Sequence, residues 1–425
     1  MSLGLISWQR ARQLVIDALV GDIAARAPRA PIVTVTLAAA QGRVLAEAVW
    51  VDRDLPPFHR ATRDGFAVRA ADARQAGVVL AIGGEARAGV AWASAMCAGT
   101  TIEIATGAPL PDGADAVVMI EHVVRLGDGT VRLERSAMPG ENVVPRGSEA
   151  CAGDVALACG TRLGPAQLAL LASVGCAAPR VFARPRVAVL ATGDELVPVE
   201  AVPGAAQIRN SNAVQLAAQV ACAGGEPVLL PAAPDEPRAL KLALEQAAAC
   251  ADQIVIAGGV SMGRYDLVGE VLAELGATFC FAGVALRPGK PAAFGRVLGR
   301  PFFALPGNPL SCLVTFELFA RPAIELASGA TPTPLLLARA TLAEPLAAPL
   351  LPLAQVLPAA LVDGNVDGNV DGNNDGAGAS GVRVRAIPTH GSGDLAALAR
   401  AQLWLLLPPG CGPLAAGDEV AVLPR

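Results

Sequence analysis

Between Arg186 and Ala327 short apolar runs alternate with stretches of helical period, and this alternation limits what the chain can fold into more than any other feature. Arg186 to Thr192 (RVAVLAT) reads as a strand, Asn212 to Cys222 as a helix, and Pro227 to Pro231 as the next strand. Asp235 then stands where it can cap a helix that carries Pro237 in its first turn and runs through LKLALEQAAA. Gln253 to Ala257 (QIVIA) is a third strand, Leu267 to Leu275 a helix, and Pro301 to Leu305 (PFFAL) a strand entering a helix over Ser311 to Ala327. Strands this continuously apolar are buried on both faces. The pattern predicts a parallel sheet covered by helices, with any ligand at the carboxyl ends of the strands.

The flanks differ. Ser7 to about Leu45 reads as a helix, a strand and a short helix, a connector more than a core. From Asp52 to Arg146, runs such as TIEIAT, DAVVMIEHV and TVRLER alternate with Gly-Asp-Gly and Pro-Asp-Gly turns, which predicts a small β-rich domain. Residues 161–178 form a helix with Pro165 in its first turn and Gly175 as its stop. From Thr331 the chain returns to β character, interrupted by the tandem Val-Asp-Gly-Asn repeat at 362–381, which is too polar to pack and is expected to be a disordered loop. That repeat lacks the helix and terminal glutamate of a calcium loop. The expected division is 1–50 with 149–184 as a connector and dimerisation region, 51–148 as a β-rich domain, 185–330 as the α/β domain, and 331–425 as a C-terminal β domain.

Composition narrows the function classes. With 33 Lys+Arg against 38 Asp+Glu and a net charge of -5, the chain has no basic excess to neutralise a run of phosphates, so general nucleic-acid binding is excluded. Mean hydropathy is +0.47. Even so, the most apolar stretch, Pro334 to Val362, contains Arg339, Glu344 and four prolines that a membrane helix could not accommodate. The N-terminus lacks the apolar core and small-residue cleavage site of a secretory signal. Nine cysteines without Cys-x-x-Cys spacing are expected to be buried thiols acting as small hydrophobes. Three scattered histidines (His59, His122, His390) do not suggest a histidine metal site. A cytoplasmic protein without membrane attachment is expected.

The chemistry gathers where the strands end. Thr192-Gly193-Asp194-Glu195 follows the first, Gly258-Gly259-Val260-Ser261-Met262-Gly263-Arg264-Tyr265-Asp266 the third, and Pro306-Gly307-Asn308-Pro309-Leu310-Ser311 the last. Gly258, Gly259 and Gly263 let backbone approach an anion, Ser261 offers a hydroxyl, and Asn308 can cap a helix whose amides point the same way: a phosphate cradle. Asp194, Glu195 and Asp266 would repel a phosphate by about 4 kcal/mol per charge pair at ~4 Å and an effective dielectric of ~20. A hard cation, Mg2+, resolves that conflict. Read singly, Asp194 could merely cap a turn and Asp266 the helix at Leu267. Leu286-Arg287-Pro288-Gly289-Lys290-Pro291 brings two cations together on a rigid turn suited to an anion.

Six blocks now stand in order: Asp64-Gly65-Phe66-Ala67-Val68-Arg69 with Asp72, Thr106-Gly107-Ala108-Pro109, Thr192-Gly193-Asp194-Glu195-Leu196, Gly258-Gly259-Val260-Ser261, Pro288-Gly289-Lys290-Pro291 and Pro306-Gly307-Asn308-Pro309. Together they resemble the molybdopterin molybdenumtransferase family, which includes the bacterial MoeA proteins and the gephyrin E domain, over nearly the whole chain. The resemblance implies a multidomain α/β plus β subunit: a central parallel-sheet molybdopterin-binding domain flanked by a β-rich domain, a connector region and a C-terminal β-barrel-like domain. It implies homodimers whose site lies between subunits. The substrates it implies are adenylylated molybdopterin and molybdate, with AMP released, and an adenylyltransferase of the same pathway is an implied partner.

Carried over by that resemblance, Asp64 and Thr106 come from the second domain, while Glu195, Asp235 and Asp266 are acidic residues of the crevice. Glu195, Asp266 and Asp194 are the expected magnesium ligands. Substrate contacts are expected from Gly258, Gly259, Ser261, Gly263, Arg287, Lys290, Pro306, Gly307, Asn308 and Ser311, with Glu149 where the family usually has aspartate and Ser392 from the fourth domain. The chain departs from the family pattern at Ala61-Thr62-Arg63, where hydroxyls are lost and a cation gained, and at Gly283, where some members have lysine. Arg287 keeps the charge of the turn. A carrier that binds the pterin without inserting metal is the competing expectation; clustered carboxylates facing an anionic ligand argue against it.

Overall fold

The structure is a computed structural model and describes residues 4–25, 31–90, 92–260, 267–362 and 382–424. The chain divides into two compact units: one holds the N-terminal segment to Val33, Gly42–Val44 and everything from Val181 onward; the other holds Thr34–Gln41 and Leu45–Arg180.

In the first unit, helix α1 (Trp8–Ala25) precedes a six-stranded sheet. The elements run β1 (Arg186–Ala191), α2 (Ser211–Cys222), β2 (Glu226–Leu229), α3 (Pro237–Cys250), β3 (Gln253–Ala257), α4 (Leu267–Glu274), β4 (Thr278–Ala282), β5 (Ala293–Val297), β6 (Arg300–Leu305) and the long helix α5 (309–327). The sheet order is β2-β1-β3-β6-β5-β4. Four strands are parallel, with Val189 beside Val255 and Val255 beside Phe303, whereas β5 and β4 add antiparallel strands at one edge. The central strands are parallel as expected, and the antiparallel pair at one edge makes the sheet mixed. β5 is interrupted by Gly295 and Arg296, and β4 is exposed at three of its five positions. Their pairing depends instead on Gly295, where a Cβ would fall 2.1 Å from the Thr278 carbonyl oxygen, and on the edge-to-face contact of Phe279 with Phe302 at 5.3 Å.

Alternate residues of the central strands bury on opposite faces, as a sheet covered on both sides requires. Val187, Val189, Val255 and Phe303 meet α1, α2 and α5; Ala188, Leu190, Ile254 and Phe302 meet α3 and α4. The N-terminal helix assigned above to a connector thus contributes Trp8, Ala11, Val15 and Leu19 to the α/β core. Its Arg12 completes α5. Pro322 has no N–H to give to the Leu318 carbonyl one turn earlier, residues 316–320 widen into a π turn, and the Arg12 guanidinium donates to Leu318 O at 3.0 Å and to Thr333 O at 2.8 Å.

After α5 the chain builds a closed five-stranded barrel from β7 (Ala338–Leu342), β8 (Ala354–Leu361), β9 (Arg383–Ala386), β10 (Leu403–Leu407) and β11 (Glu419–Pro424), with helix α6 (Leu395–Arg400) before β10. The order β8-β9-β7-β11-β10 closes through β8 with β10, leaving no open edge within the ring. A two-residue strand, Leu286–Arg287, pairs onto β8 from outside. Residues 363–381, where the repeat lies, are outside the described residues.

The second unit holds a six-stranded sheet in the order 116–119, 65–68, 100–104, 79–86, 130–133, 123–125. Phe66, Val68, Leu80, Val118 and Val131 pack on one face and Ala67, Ile102, Ile104 and Val117 on the other. Its helix Pro165–Ser173 stops before Gly175, whose φ is +74°.

Cysteine burial departs from expectation: Cys312 is buried, whereas Cys97, Cys151, Cys159, Cys222 and Cys280 are exposed. Cys280 shows why. On a strand, neighbours face opposite ways, so its flanking phenylalanines do not bury it. Among the described residues no helix is long and apolar enough to cross a membrane.

Candidate active site

The carboxyl ends of β1, β3 and β6 open into a crevice of about 970 Å³, closed by the start of α2, the turn at Lys290 and the barrel loop at Gly393. This is the position that a parallel sheet dictates. Its floor is backbone. Gly258 has φ +100°, and a Cβ there would sit 2.6 Å from the Thr192 carbonyl oxygen; Gly259 has φ +65°, and a Cβ would meet Val268 Cγ2 at 2.5 Å. Both positions exclude a side chain: at Gly258 the β1 and β3 ends touch main chain to main chain, and Gly259 packs under the Val268 side chain. Gly307 continues the contact, its Cβ position lying 3.4 Å from Gly258 Cα.

Asp235 takes a different role from the cap expected of it. Glu236 is the N-cap of α3, without a side-chain cap bond. Asp235 instead accepts from Thr192 Oγ1 at 2.8 Å, and its own N–H donates to Asp194 Oδ1 at 3.0 Å. Pro237 already satisfies the helix start by lacking an N–H, which leaves Asp235 available to tie the β1 end to the α3 loop. The Asp194 carboxylate is committed to this tie. Glu195 is not: it folds over Gly193, where a Cβ would be 2.5 Å from its Oε2, and its carboxylate has no hydrogen bond or ion pair among the described residues. Glu195 and Asp235 line the same crevice.

Asn308 occupies the N-cap of α5, yet its side chain makes no cap bond, contrary to expectation. Pro309 has no N–H to offer, and the Leu310 N–H donates to Ser392 O at 3.0 Å, so the first turn presents fewer amides to a ligand than its sequence suggests. Ser311 is buried, its carbonyl accepting from Thr315 Oγ1, and it is not part of the lining. Ser392 acts through its carbonyl and brings its neighbour Gly393 to the crevice. Lys290 lines the crevice as expected; Arg287 does not, being exposed on the strand that pairs with Gln355. Gly283 has φ +101°, and a side chain there would meet Leu5 Cδ2 at 3.0 Å, so the family's lysine would be strained at this position. Ser261, Gly263 and Asp266 lie outside the described residues.

In the second unit Asp64 Oδ1 accepts from the Thr106 N–H at 2.7 Å. That amide, and then the Thr106 side chain, hold the Asp64 carboxyl below the ordinary aspartate value. Gly65 follows of necessity, because a Cβ there would fall 2.0 Å from the Val118 carbonyl oxygen. Glu149 pairs with Arg60 at 3.5 Å on the surface, and Arg63 is exposed.

One wall of the crevice was not anticipated. Leu196–Val197 pairs with Ile208–Arg209; the excursion between them lines the opening with Pro203 and Gln207, and the returning strand adds Arg209. Arg209 Nε is held by the carbonyls of Val199 and Ala201 at 2.9 and 3.1 Å. Asn212 donates from Nδ2 to Gly307 O at 2.6 Å. The run Asn210-Ser211-Asn212, three small polar residues at a helix start, was the available signal. Among the described residues no group of three or more His, Cys, Asp or Glu side chains could hold a metal ion.

Comparison with known proteins agrees with this architecture. Residues 6–175 match the MoeA N-terminal region (domain I and II), 188–326 a probable molybdopterin binding domain, and 372–424 the MoeA C-terminal region (domain IV). A molybdopterin molybdenumtransferase of Nostoc sp. is 38% identical over 302 residues, 69% of each chain. One from Staphylococcus aureus is 31% identical over 397 residues, 92% of this chain and 91% of that one. Among solved structures, a molybdopterin biosynthesis MoeA protein of Pyrococcus horikoshii superposes with a TM-score of 0.79 at 28% identity, covering 99% of this chain and 100% of the other. Family models along most of the chain, a relative over 30% identical across nine-tenths of it, and a full-length structural match converge: the chain belongs to the molybdopterin molybdenumtransferase family.

Proposed function

We propose that this transferase of molybdenum cofactor biosynthesis acts on adenylylated molybdopterin, inserting molybdate into the dithiolene and releasing AMP. The observation that carries the reading is the crevice at the β1, β3 and β6 ends. A floor of glycine main chain suits an anionic link, and an uncommitted carboxylate, Glu195, stands in the same crevice as Lys290. A module that only held an anionic pterin would gain nothing from that carboxylate. Its chemistry fits a hard divalent cation completed by substrate oxygens. Glu195, with the Asp194 and Asp266 carboxylates expected from the sequence, would hold Mg2+, which supplies charge neutralisation when bound. The chain's own groups bind and orient: glycine main chain at 258 and 259 admits the phosphates, Lys290 offsets their charge, and the barrel loop at Gly393 bounds the crevice.

We further propose a homodimer in which Asp64 and Thr106 serve the partner's crevice, and an adenylyltransferase as the source of substrate. These rest on the family resemblance. Incubation with adenylylated molybdopterin, Mg2+ and molybdate should yield AMP and active cofactor together; pterin binding without AMP would point to a carrier. Mixing Asp64→Ala subunits with Glu195→Ala subunits should restore part of the activity if the sites are shared, and none if each is built within one chain.

A further inference from the structure

Asn212 is the second residue of α2 and lines the crevice. The helix does not require it, because Asn210 already caps α2, its Oδ1 accepting from the Ala213 N–H at 3.1 Å. The Asn212 amide reaches instead across 95 positions of chain to the Gly307 carbonyl, at 2.6 Å. Among the described residues its buried Oδ1 has no partner. An orphaned acceptor destabilises a fold, and an apolar residue of similar volume would avoid it, so packing alone does not account for an amide here. The amide's orientation is determined: turned over, Oδ1 would face the Gly307 oxygen, acceptor against acceptor.

Gly307 is the middle of the turn between β6 and α5, and its main chain rests on Gly258. Downstream, the turn is anchored by Gln215 Nε2 to Pro309 O at 3.2 Å and by the Leu310 N–H to Ser392 O. Upstream it is held by β6. Between these anchors Asn212 is the side-chain tie on Gly307.

We propose that Asn212 is a positioning residue of the transferase: by holding the Gly307 carbonyl it sets the height of the 306–309 turn over Gly258, and so the width of the crevice for the substrate's anionic link. The inference rests on the substrate reading above. Asn212→Leu keeps the volume and removes the donor. Asn212→Asp keeps the shape and places a carboxylate against a carbonyl.

The test is steady-state cofactor formation by the full chain with molybdate and molybdopterin, supplied both adenylylated and not, together with thermal melting. Both variants should raise the pterin KM about tenfold with a smaller change in kcat, since small displacements of a binding wall are costly and one hydrogen bond is at stake. The melting temperature of Asn212→Leu should stay within about 2 °C of the parent, whereas Asn212→Asp, which sets a carboxylate against a carbonyl, should melt earlier and is read on its folded fraction. The deficit of the Asn212→Asp variant should shrink as pH falls toward the ordinary aspartate range, because the protonated carboxyl regains a donor. An Asn212→Leu variant with parental KM, or a kinetic loss that merely tracks lost folded protein, overturns the proposal. If the parent uses the unadenylylated pterin equally and releases no AMP, the substrate reading fails, while the KM comparison on the accepted pterin still decides Asn212.

Discussion

Replacing Gly258 by alanine places a methyl group where three strand ends meet. At φ +100° an L residue is strained, by roughly 1–2 kcal/mol. The Cβ would also lie 2.6 Å from the Thr192 carbonyl oxygen. That atom is backbone and cannot rotate away; restoring ordinary contact requires the β1 and β3 ends to part by several tenths of an ångström. Overpacking of this kind costs about 1–3 kcal/mol, giving a total of about 2–5 kcal/mol against a typical stability of about 5–15. The variant should fold, melt earlier and bind substrate less well. Gly276→Ala is the control: φ is +74°, but nothing lies within 4 Å of its Cβ position, so only the conformational term applies. Thermal and urea unfolding of both variants separate the two contributions. If Gly258→Ala is no less stable than Gly276→Ala, the main-chain packing of the crevice floor is not what fixes that glycine.

Arg12→Met should destabilise by about 2–4 kcal/mol, because it removes two charge-assisted bonds and leaves the buried Leu318 carbonyl without the N–H that Pro322 lacks; denaturant melts will measure it, and a loss below about 0.5 kcal/mol would refute the account. Deleting residues 363–381 should leave melting and turnover nearly unchanged, since β8 and β9 keep their pairing and closure entropy varies slowly with loop length; a large drop in melting temperature contradicts this. Cys312, its pKa pushed up to about 12 by burial, should resist thiol reagents at neutral pH until the protein unfolds, while exposed Cys97 and Cys222 react at once; nine rapidly reacting thiols in the native protein would be the contrary result. Asp64 titrates below its unfolded value, so its contact with Thr106 contributes stability above the ordinary aspartate range of about 3.9 and loses it as pH falls through the lowered pKa. Carboxyl NMR should show that depressed midpoint, and Thr106→Pro should raise it.

The central strands were legible because burial on both faces writes itself as a continuous apolar run, and the crevice followed because a parallel sheet places its ligands at one end. The antiparallel edge was not legible: Ala293–Val297 is held by a glycine's close approach and by cross-strand aromatics, neither of which has a period. Asp235 was misread for a related reason. Its type and place before Pro237 fit a helix cap, but Thr192 and Asp194, neighbours only in the fold, compete for it. The family blocks pointed to the glycine turns at 258–259 and 307 and to Lys290, all of which line the crevice. Asn212 and Arg209 escaped notice because their work is done on main-chain carbonyls of Gly307, Val199 and Ala201, contacts that residue type alone does not announce.

The strand Leu286–Arg287 has a consequence for synthesis on the ribosome. The turn that carries Lys290 lies within the α/β domain, but its strand pairs with Ala354 and Gln355 of β8, and Leu310 waits for Ser392. Strand partners about seventy residues apart are separated by roughly 4–14 s of elongation at ~5–20 residues per second. The sheet and its helices can therefore pack while the crevice still lacks two of its supports. A nascent chain therefore completes the crevice only after residues 354–392 have emerged, when the sheet that carries it is already in place.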